Sequence, residues 1–271
     1  MSRWRDLWRE YVKSTSYQRI LQERGITNDQ FWREYAPVYE EVLARSGYPG
    51  EILERVSSLI PPGSSLLDVG AGTGAFAIPL APRMRRVLAL DPSTHQLRVL
   101  EEKARSRGIY NIEIISSRWG EVDPRQLVDL DFSLAAYSIF EEDVYSFLKK
   151  MIDVSSRGVL LVFRAGRMDP LQEFVYGPRL QVDYSCLIQI LEEMGYDFQV
   201  EIFSRDYVLP LHCILHGLCS SARSPEEIMR YLEDGGRIAA PQKGSSMDGI
   251  AEGEEPWVRV KSDDALLYRL G

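Results

Sequence analysis

One stretch of the chain decides its fold: residues 66–75 read Leu-Leu-Asp-Val-Gly-Ala-Gly-Thr-Gly-Ala. The apolar run Ser65–Val69, in which this stretch begins, is typical of a buried β-strand. Three glycines follow and predict a tight turn, because glycine adopts positive φ angles and lets the backbone approach a ligand closely. The segment Ala75–Met84 then predicts a helix, whose N-terminus would favour polar or anionic groups. Residues 66–75 therefore indicate a ligand-binding turn between a strand and a helix.

Short apolar runs separated by turn residues continue beyond this turn. Further strands are predicted over Val87–Asp91, Ile112–Ile115, Val128–Leu134 and Val159–Phe163. Helices are predicted between them: one begins at Ser93, where Gln96 completes a capping box, and another covers Glu142–Ile152. Strands that alternate with helices form parallel βαβ units, and parallel strands covered on both faces are continuously apolar, as these are. The pattern predicts a doubly wound, mostly parallel α/β sheet.

Both ends of the chain add elements to this sheet. Residues 1–60 are predicted to form an N-terminal helical cap, which leaves residues 61–271 as the main domain. A helix over Asp183–Met194 and a strand over Asp197–Phe203 are predicted next, and a closing strand or hairpin covers 257–260 and 265–270. With these additions the sheet has seven strands. Residues 234–256 are rich in glycine, serine and acidic side chains and predict a mobile loop.

The first predicted helix has two contrasting faces. Its apolar side chains recur at helical spacing and are Trp4, Leu7, Trp8, Tyr11 and Val12. We expect this face to pack on the body of the protein or across a homodimer. The opposite face carries Arg3, Arg5, Arg9 and Lys13, so a membrane surface or another partner is the alternative.

Composition excludes several classes of protein. The chain has 271 residues, of which 45% are hydrophobic and 27% charged, and its net charge is −8. An acidic chain disfavours a nucleic-acid partner, because phosphates bind to basic surfaces. Three cysteines are too few for a disulfide framework, and no apolar run approaches the length of about 20 residues that spans a membrane. We expect a cytoplasmic protein with neither a leader peptide nor a membrane span.

Two kinds of ligand fit the glycine turn. Gly70, Gly72 and Ala75 satisfy the dinucleotide pattern G-x-G-x-x-A. However, Asp68 lies two residues before the first glycine, where its carboxylate would repel a pyrophosphate and attract an ammonium or sulfonium group. Asp91, at the end of the following strand, can accept hydrogen bonds from ribose hydroxyls in either kind of site. Asp68 therefore favours a cationic nucleoside over a dinucleotide.

The same residues resemble the first motif of the class I S-adenosylmethionine-dependent methyltransferases, which reads D/E-x-G-x-G-x-G. Asp68, Gly70, Gly72 and Gly74 match every fixed position. The resemblance covers residues 64–165 and implies a Rossmann-like sheet with S-adenosylmethionine as cofactor. It implies that the cofactor lies against Asp68, Gly70, Ala71, Gly72, Gly74, Asp91, Pro92, Ser117, Arg118, Trp119 and Ala136.

Two loops depart from the family's pattern. After the third strand, Arg118 stands where an acid often contacts adenine, so backbone groups of Ser117 and Arg118, with Trp119 stacking, would substitute. After the fourth strand, Ala135–Phe140 lacks the N/D-P-P-Y/F signature of enzymes that methylate nucleobase or glutamine amino groups. Side chains expected to shape an acceptor pocket are Tyr35, Tyr39, Tyr137, Phe140 and Arg164.

The segment Leu211–Cys219 places four potential metal ligands within eight residues: His212, Cys213, His216 and Cys219. Zinc is one interpretation of this spacing. No second ligand pair supports it, so we favour a structural role and predict no metal site. If the acceptor were a hydroxyl or an ammonium, a base would be needed, and Tyr137, His212 and His216 are the candidates.

Together these patterns predict methyl transfer from S-adenosylmethionine to a small-molecule acceptor by in-line displacement. That reaction needs mainly alignment and exclusion of water, so no catalytic residue is assigned. The alternatives are a transfer RNA or ribosomal RNA methyltransferase that uses the basic first helix, a transferase of the aminocarboxypropyl group, a nicotinamide-dependent oxidoreductase, and a nucleoside binder without catalysis.

Overall fold

A computed structural model describes residues 2–215, 223–239 and 256–271. The chain begins with four helices, which are α1 (Arg3–Ser14), α2 (Ser16–Arg24), α3 (Asn28–Ser46) and α4 (Gly50–Leu59). A serine or threonine caps each of the first three, and Thr27 and Gln30 form a complete capping box at the start of α3. The N-terminal 60 residues are thus helical, as their periodicity predicts.

The sheet contains β1 (Ser65–Val69), β2 (Arg86–Asp91), β3 (Ile112–Ser116), β4 (Phe132–Ala136), β5 (Gly158–Arg164), β6 (Gln199–Pro210), β7 (Ile238–Ala239) and β8 (Trp257–Leu270). Seven strands lie in the order β3-β2-β1-β4-β5-β8-β6, and β7 pairs with β8. The first five strands are parallel to one another, whereas β8 runs antiparallel to β5 and β6. This confirms the doubly wound, mostly parallel α/β fold.

Seven further helices connect and flank the strands. They are α5 (Ala77–Leu80), α6 (Thr94–Ser106), α7 (Val144–Val154), α8 (Pro170–Tyr176), α9 (Tyr184–Glu193), α10 (Leu211–Leu215) and α11 (Pro225–Asp234). None of the helices in the described ranges is both long and apolar enough to cross a membrane.

Three apolar cores result. On one face of the sheet α1, α7 and α9 pack together, and Trp8 of α1 is fully buried there. On the other face α4, α5 and α6 cover β1, β2 and β4. A third core lies where the long ends of β6 and β8 meet α3, α8, α10 and α11. The apolar face of α1 is therefore occupied within its own chain.

Several predicted boundaries are wrong. The fourth strand begins at Phe132 instead of Val128, and β6 continues to Pro210. The C-terminal segment is one continuous strand, β8, with no hairpin. Residues 238–239, inside the predicted loop, pair with Trp257 and Val258 of β8. Residues 240–255 of that loop lie outside the described residues.

Candidate functional site

The turn after β1 has the backbone that its glycines predict. Gly70, Gly72 and Gly74 have φ angles of +76°, +54° and +90°, a region that side chains with a Cβ rarely adopt. A Cβ at Gly70 would lie 2.2 Å from the Cβ of Ser138, and one at Gly74 would lie 2.7 Å from Ile78. At Gly72 the nearest atom would be 3.9 Å away, so space is open there. Packing therefore requires glycine at two of the three positions, and Gly72 faces free volume.

Asp68 is a carboxylate that lines the cavity beside the glycine turn. It is 2% exposed, and burial raises its pKa to about 7 because water no longer stabilises the charge; a backbone N–H of Ala77 partly offsets this, and the charge of Asp91 adds to the rise. A cation placed beside Asp68 would reverse this rise in pKa. The position is therefore suited to a positively charged ligand group.

Asp91 ends β2 and orders the loop. Its Oδ2 accepts a hydrogen bond from the N–H of Gly72 at 3.0 Å, and its Oδ1 accepts one from Ser93 at 2.8 Å. Burial nevertheless raises the pKa of Asp91 to about 6. Because a carboxylate has about four lone-pair positions, Asp91 retains capacity for further donors, and its contact with ribose hydroxyls stays a prediction.

Gln96, on the first turn of α6, was not among the predicted site residues. Ser93 caps the helix by accepting a hydrogen bond from the N–H of Gln96, but the reciprocal half of the expected capping box is absent. The Gln96 side chain is 2% exposed, and its Oε1 has no partner in the described structure. That oxygen is the atom nearest to the open position at Gly72.

Aromatic side chains cover the loop. Tyr39 of α3 and Tyr48, which lies between α3 and α4, enclose a cavity of about 30 Å³, room for about one water molecule. The cavity is lined by Tyr39, Tyr48, Asp68, Gly70, Ala71, Gly72, Thr73, Ala75, Phe76 and Ala136. Tyr48 and Phe76 were missed from the sequence, because no motif marks either position.

Helix α3 is attached to the cofactor loop at two points. Asp29, near its first turn, accepts hydrogen bonds from the hydroxyls of Ser93 and Thr94 and from the N–H of His95, at 3.0–3.1 Å. Glu40, near its other end, accepts from the Thr73 hydroxyl and forms an ion pair with Lys103. Helix α3 therefore contacts both the glycine loop and the N-terminus of α6.

The predicted adenine loop is only partly as expected. Ser117 donates its N–H to the carbonyl of Asp91 at 3.2 Å, and Arg118 and Pro92 are exposed beside it. Trp119, however, is 4% exposed, and its indole N–H donates to the carbonyl of Phe147 at 3.1 Å. The ring packs edge-on against Phe147 in the core. The role predicted for Trp119, stacking on the adenine, is therefore wrong.

The predicted acceptor residues separate into two groups. Tyr35 and Phe140 belong to an aromatic cluster with Tyr17, Phe31 and Trp32, in which neighbouring ring centroids are 5.1–6.4 Å apart. Electrostatic interactions link Tyr17 of this cluster to both Arg118 and Asp91. The cluster therefore borders the region after β2 and β3.

The second group surrounds Tyr137, which has a φ angle of +53° at the end of β4. Its hydroxyl donates to Asp264, which is fully buried and paired with Arg205 at 2.6 Å. Burial and the Asp264 charge raise the pKa of Tyr137 well above its usual value, so this phenol holds its proton and is not a base. Arg164 donates to the hydroxyl of Tyr11 at 2.9 Å and so ties α1 to β5.

Of the predicted metal ligands, His216 and Cys219 lie outside the described residues. His212 instead contacts Glu41 of α3, at 3.1 Å between Nε2 and Oε2. It lies beside the third core and is paired with a carboxylate that no local pattern connects with it.

Comparisons with known proteins agree with this geometry. Residues 66–158 match the family model for a methyltransferase domain. An uncharacterized protein from Haemophilus influenzae is 26% identical over 116 residues, a region that covers 43% of this chain and 42% of that protein. A probable ribosomal RNA small subunit methyltransferase A from Pyrobaculum aerophilum is 28% identical over 167 residues, 56% of this chain and 66% of that protein. Each match thus spans less than two thirds of the relative's own length.

Two solved structures share the fold. The YcgJ protein from Bacillus subtilis aligns with a TM-score of 0.56 at 14% identity, covering 81% of this chain and 97% of that one. A putative methyltransferase from Bacillus halodurans aligns with a TM-score of 0.56 at 15% identity and the same coverage of 81% and 97%. The glycine motif, the strand order and the match over residues 66–158 agree with one another, and together they support a methyltransferase domain that uses S-adenosylmethionine.

Proposed function

We propose that the protein transfers the methyl group of S-adenosylmethionine to a small-molecule acceptor enclosed between the glycine loop and α3. One observation carries this proposal: Tyr39 and Tyr48 cover the volume beside Asp68 and Gly72. A reacting group would therefore meet its acceptor beneath the N-terminal helices and not on an open surface. Such a covered site suits a small molecule better than a folded nucleic acid.

The residues around the cavity fit the cofactor. Among the described residues, Asp68 is a buried carboxylate influenced by the Ala77 backbone and Asp91 and by no cation, and the buried acceptor oxygen of Gln96 has no partner. Gly72 leaves the space of a side chain open. S-adenosylmethionine offers an ammonium, a sulfonium and ribose hydroxyls to such groups. When bound, it supplies an electrophilic methyl group.

The protein's own residues would align the reaction and exclude water. Asp68 would hold the ammonium, and Asp91 and Gln96 would accept hydrogen bonds from the nucleoside. Tyr39 and Tyr48 would present aromatic faces, which attract a cation, and would keep water away. Alignment of this kind supplies roughly 7–11 kcal/mol of barrier lowering in favourable cases. Tyr137 would retain its proton, which it donates to Asp264. This hydrogen bond would hold the Tyr137 ring in the position from which it orients an acceptor.

An RNA acceptor is the second candidate, because one relative is described as a probable ribosomal RNA methyltransferase. The basic side of α1 gives this candidate little support. Arg5 pairs with Asp143 at 3.4 Å, and Lys13 pairs with Glu142 at 3.2 Å. Arg9 pairs with an acid on α1 itself. Acidic partners within the chain thus offset three of the four basic side chains on the face that would bind phosphates.

Methyl-labelled S-adenosylmethionine tests the acceptor class. The full-length protein is incubated with the labelled cofactor and either total RNA or the ultrafiltered small-molecule fraction of a cell extract. We expect label in small-molecule products whose mass has increased by one methylene group. Label that precipitates with RNA would contradict the small-molecule proposal. A mass gain equal to an aminocarboxypropyl group would show that this group is transferred instead of a methyl group.

A further inference from the structure

Three side chains with metal-binding chemistry converge in the third core, outside the cofactor site. They are Glu41 on α3 and the neighbouring residues His212 and Cys213 on α10. Their ligand atoms all lie within 4.8 Å of one another. Glu41 Oε2 is 3.1 Å from His212 Nε2, which is 3.4 Å from Cys213 Sγ. Neither the methyl-transfer proposal nor the family assignment uses these residues.

The separations resemble those of ligands around a tetrahedral ion. Zinc binds nitrogen and oxygen at about 2.0–2.2 Å and sulfur at about 2.3 Å, so neighbouring ligands are about 3.3–3.6 Å apart. The observed distances of 3.1 and 3.4 Å need only a small adjustment to meet these values. Two of the three separations are thus close to those around a zinc ion, and the third, between Glu41 and Cys213, is at most 4.8 Å.

The donor set selects the kind of ion. A thiolate and an imidazole are ligands that zinc prefers, whereas magnesium and calcium are bound almost entirely by oxygen. One thiolate and one carboxylate together carry two negative charges, which would neutralise a divalent cation. Cys213 is 4% exposed, so a neutral complex suits its apolar surroundings.

Arg45 orients the carboxylate of this cluster. Its Nε donates to Glu41 Oε1 at 2.8 Å, and its guanidinium lies over the Trp257 ring at 4.6 Å. Since Arg45 occupies Oε1, the other oxygen, Oε2, is the one directed towards His212. Second contacts of this type commonly hold a metal ligand in the productive orientation.

We propose that Glu41 Oε2, His212 Nε2 and Cys213 Sγ are three ligands of a zinc site. On binding, the Cys213 thiol loses its proton to solvent and the thiolate sulfur bonds to the metal. The ion would clip α3 to α10, across 171 residues of sequence. Because Tyr39 on α3 covers the cofactor cavity, the clip would also fix that cover.

Cobalt(II) replaces zinc as a spectroscopic probe for this test. Full-length protein is freed of metal with a chelator and titrated with Co²⁺. We expect the near-ultraviolet band of thiolate-to-cobalt charge transfer and the intense visible bands of a four-coordinate ion, both removed by added Zn²⁺. Absence of the charge-transfer band in the unmodified protein would overturn the proposal.

Cysteine variants locate the sulfur ligand. Cys213→Ser should lose the charge-transfer band, and Glu41→Gln should weaken cobalt binding by at least tenfold. Cys186→Ser is a matched control, because Cys186 is also buried, at 3% exposure, and lies in a different core. A band that survives in Cys213→Ser, or that is lost in Cys219→Ser instead, would place the metal elsewhere and contradict this site.

A measurement on the unmodified protein covers the case in which Cys213→Ser fails to fold. The rate of Cys213 alkylation is followed by peptide mass spectrometry with and without Zn²⁺. Zinc bound as proposed slows alkylation of Cys213 and leaves that of Cys186 unchanged. Equal slowing at both cysteines, or no slowing at Cys213, would overturn the proposal.

Discussion

At the scale of single residues, the cofactor site depends on charges that the fold has removed from water. Asp68 lies at the end of β1 under two tyrosines, and burial raises the pKa of its carboxyl to about 7. The free protein therefore holds this group close to half-protonated near neutral pH. A cationic ligand competes with the proton for the same carboxylate, so binding and protonation are linked.

We predict that Asp68→Asn weakens S-adenosylmethionine binding by about 10- to 100-fold, the usual effect of losing a hydrogen bond to a charged group. Affinity of the unmodified protein should rise as pH increases through the Asp68 pKa of about 7, and the variant should lose this rise. Calorimetric titration over a pH series measures both effects. Asp153→Asn, on the exposed side of α7, is the control, and equal pH profiles for all three proteins would refute the role of Asp68.

Gln96 leads to a second residue-scale prediction. Since its buried Oε1 has no partner in the described structure, Gln96→Leu should stabilise the free protein by up to about 1 kcal/mol. The same change should weaken cofactor binding about tenfold, because an acceptor for the nucleoside is lost. Urea unfolding and calorimetry measure the two effects. Gln126→Leu, at an exposed position in a short 3-10 helix, should change neither, and unchanged cofactor affinity in Gln96→Leu would exclude the contact.

Residues differ in how far the sequence could have predicted them. Gly70 and Gly74 are constrained by backbone conformation and close packing, so a local motif identifies them. Gln96 fits a capping box in the sequence, but Asp91 Oδ1 accepts the Ser93 N–H that the Gln96 side chain would otherwise cap. Trp119 follows the expected loop, but its indole reaches a core carbonyl that no local pattern reveals.

At the scale of elements, α3 controls access to the cofactor site. The cavity beneath it has a volume of about 30 Å³, whereas ligand pockets typically have several hundred Å³. We therefore expect Tyr39 and the rest of α3 to move away from the loop when S-adenosylmethionine enters. Asp29 and Glu40 form the polar contacts that such a movement would break.

We predict that Glu40→Gln increases the association rate of S-adenosylmethionine severalfold. The Glu40–Lys103 pair is partly exposed, and pairs of this kind contribute up to about 1 kcal/mol. Removing it should favour the open position of α3. Stopped-flow fluorescence measures the rate, with Trp32 in the neighbouring aromatic cluster as reporter.

Glu34→Gln is the matched control for this experiment. Glu34 lies on the same helix but pairs with Arg24 of α2, at 2.7 Å. Its substitution should leave the association rate unchanged. Equal rates for Glu40→Gln and the unmodified protein would show that this contact does not limit entry.

Elements were predictable where burial alone determines them. Strand β1 has the bounds that its apolar run predicts, since both of its faces are covered. Strands β6 and β8 extend beyond the sheet as a two-stranded ribbon in which several residues are exposed. Their pattern is mixed there, so the sequence suggested a shorter strand and a hairpin. Strand β7 has two residues and exists only because β8 offers an edge to pair with.

At the scale of the whole molecule, the buried acids make stability depend on pH. Burial raises the pKa of Asp68 to about 7 and that of Asp91 to about 6, from 3.8 for an unperturbed aspartate. Between about pH 4 and pH 7, the folded chain therefore binds more protons than the unfolded chain. The contribution of both groups to the free energy of unfolding therefore falls as pH rises from about 4 to about 7.

We predict that Asp68→Asn removes most of this dependence. The difference in free energy of unfolding between the variant and the unmodified protein should grow as pH rises, to a few kcal/mol above the Asp68 pKa of about 7. Urea unfolding of both proteins across the pH series measures this difference in the free energy of unfolding. Other titrating groups contribute equally to both proteins, so their contributions cancel. A constant difference at every pH would mean that Asp68 does not titrate in this range.

The fold class and the cofactor were predictable from one alternation of strands and helices and one short motif. The acceptor was not, because the cavity that we propose for the reaction is formed by α3, the segment after it and the ends of several strands, which meet only in the folded chain. The third core shows the same limit: Glu41 and His212 are 171 positions apart in sequence. Long-range contacts of this kind have no local signature.

Calorimetric titration of S-adenosylmethionine into the full-length protein and into Gly72→Val tests the central claim most directly. A valine Cβ at position 72 meets no atom closer than 3.9 Å, so the fold should survive apart from the strain of its positive φ, and the side chain would occupy the cofactor's place. We predict one bound S-adenosylmethionine per unmodified chain, no binding of NADH, and no binding of either to the folded variant. S-adenosylmethionine binding of equal strength to both proteins would mean that the ligand lies elsewhere.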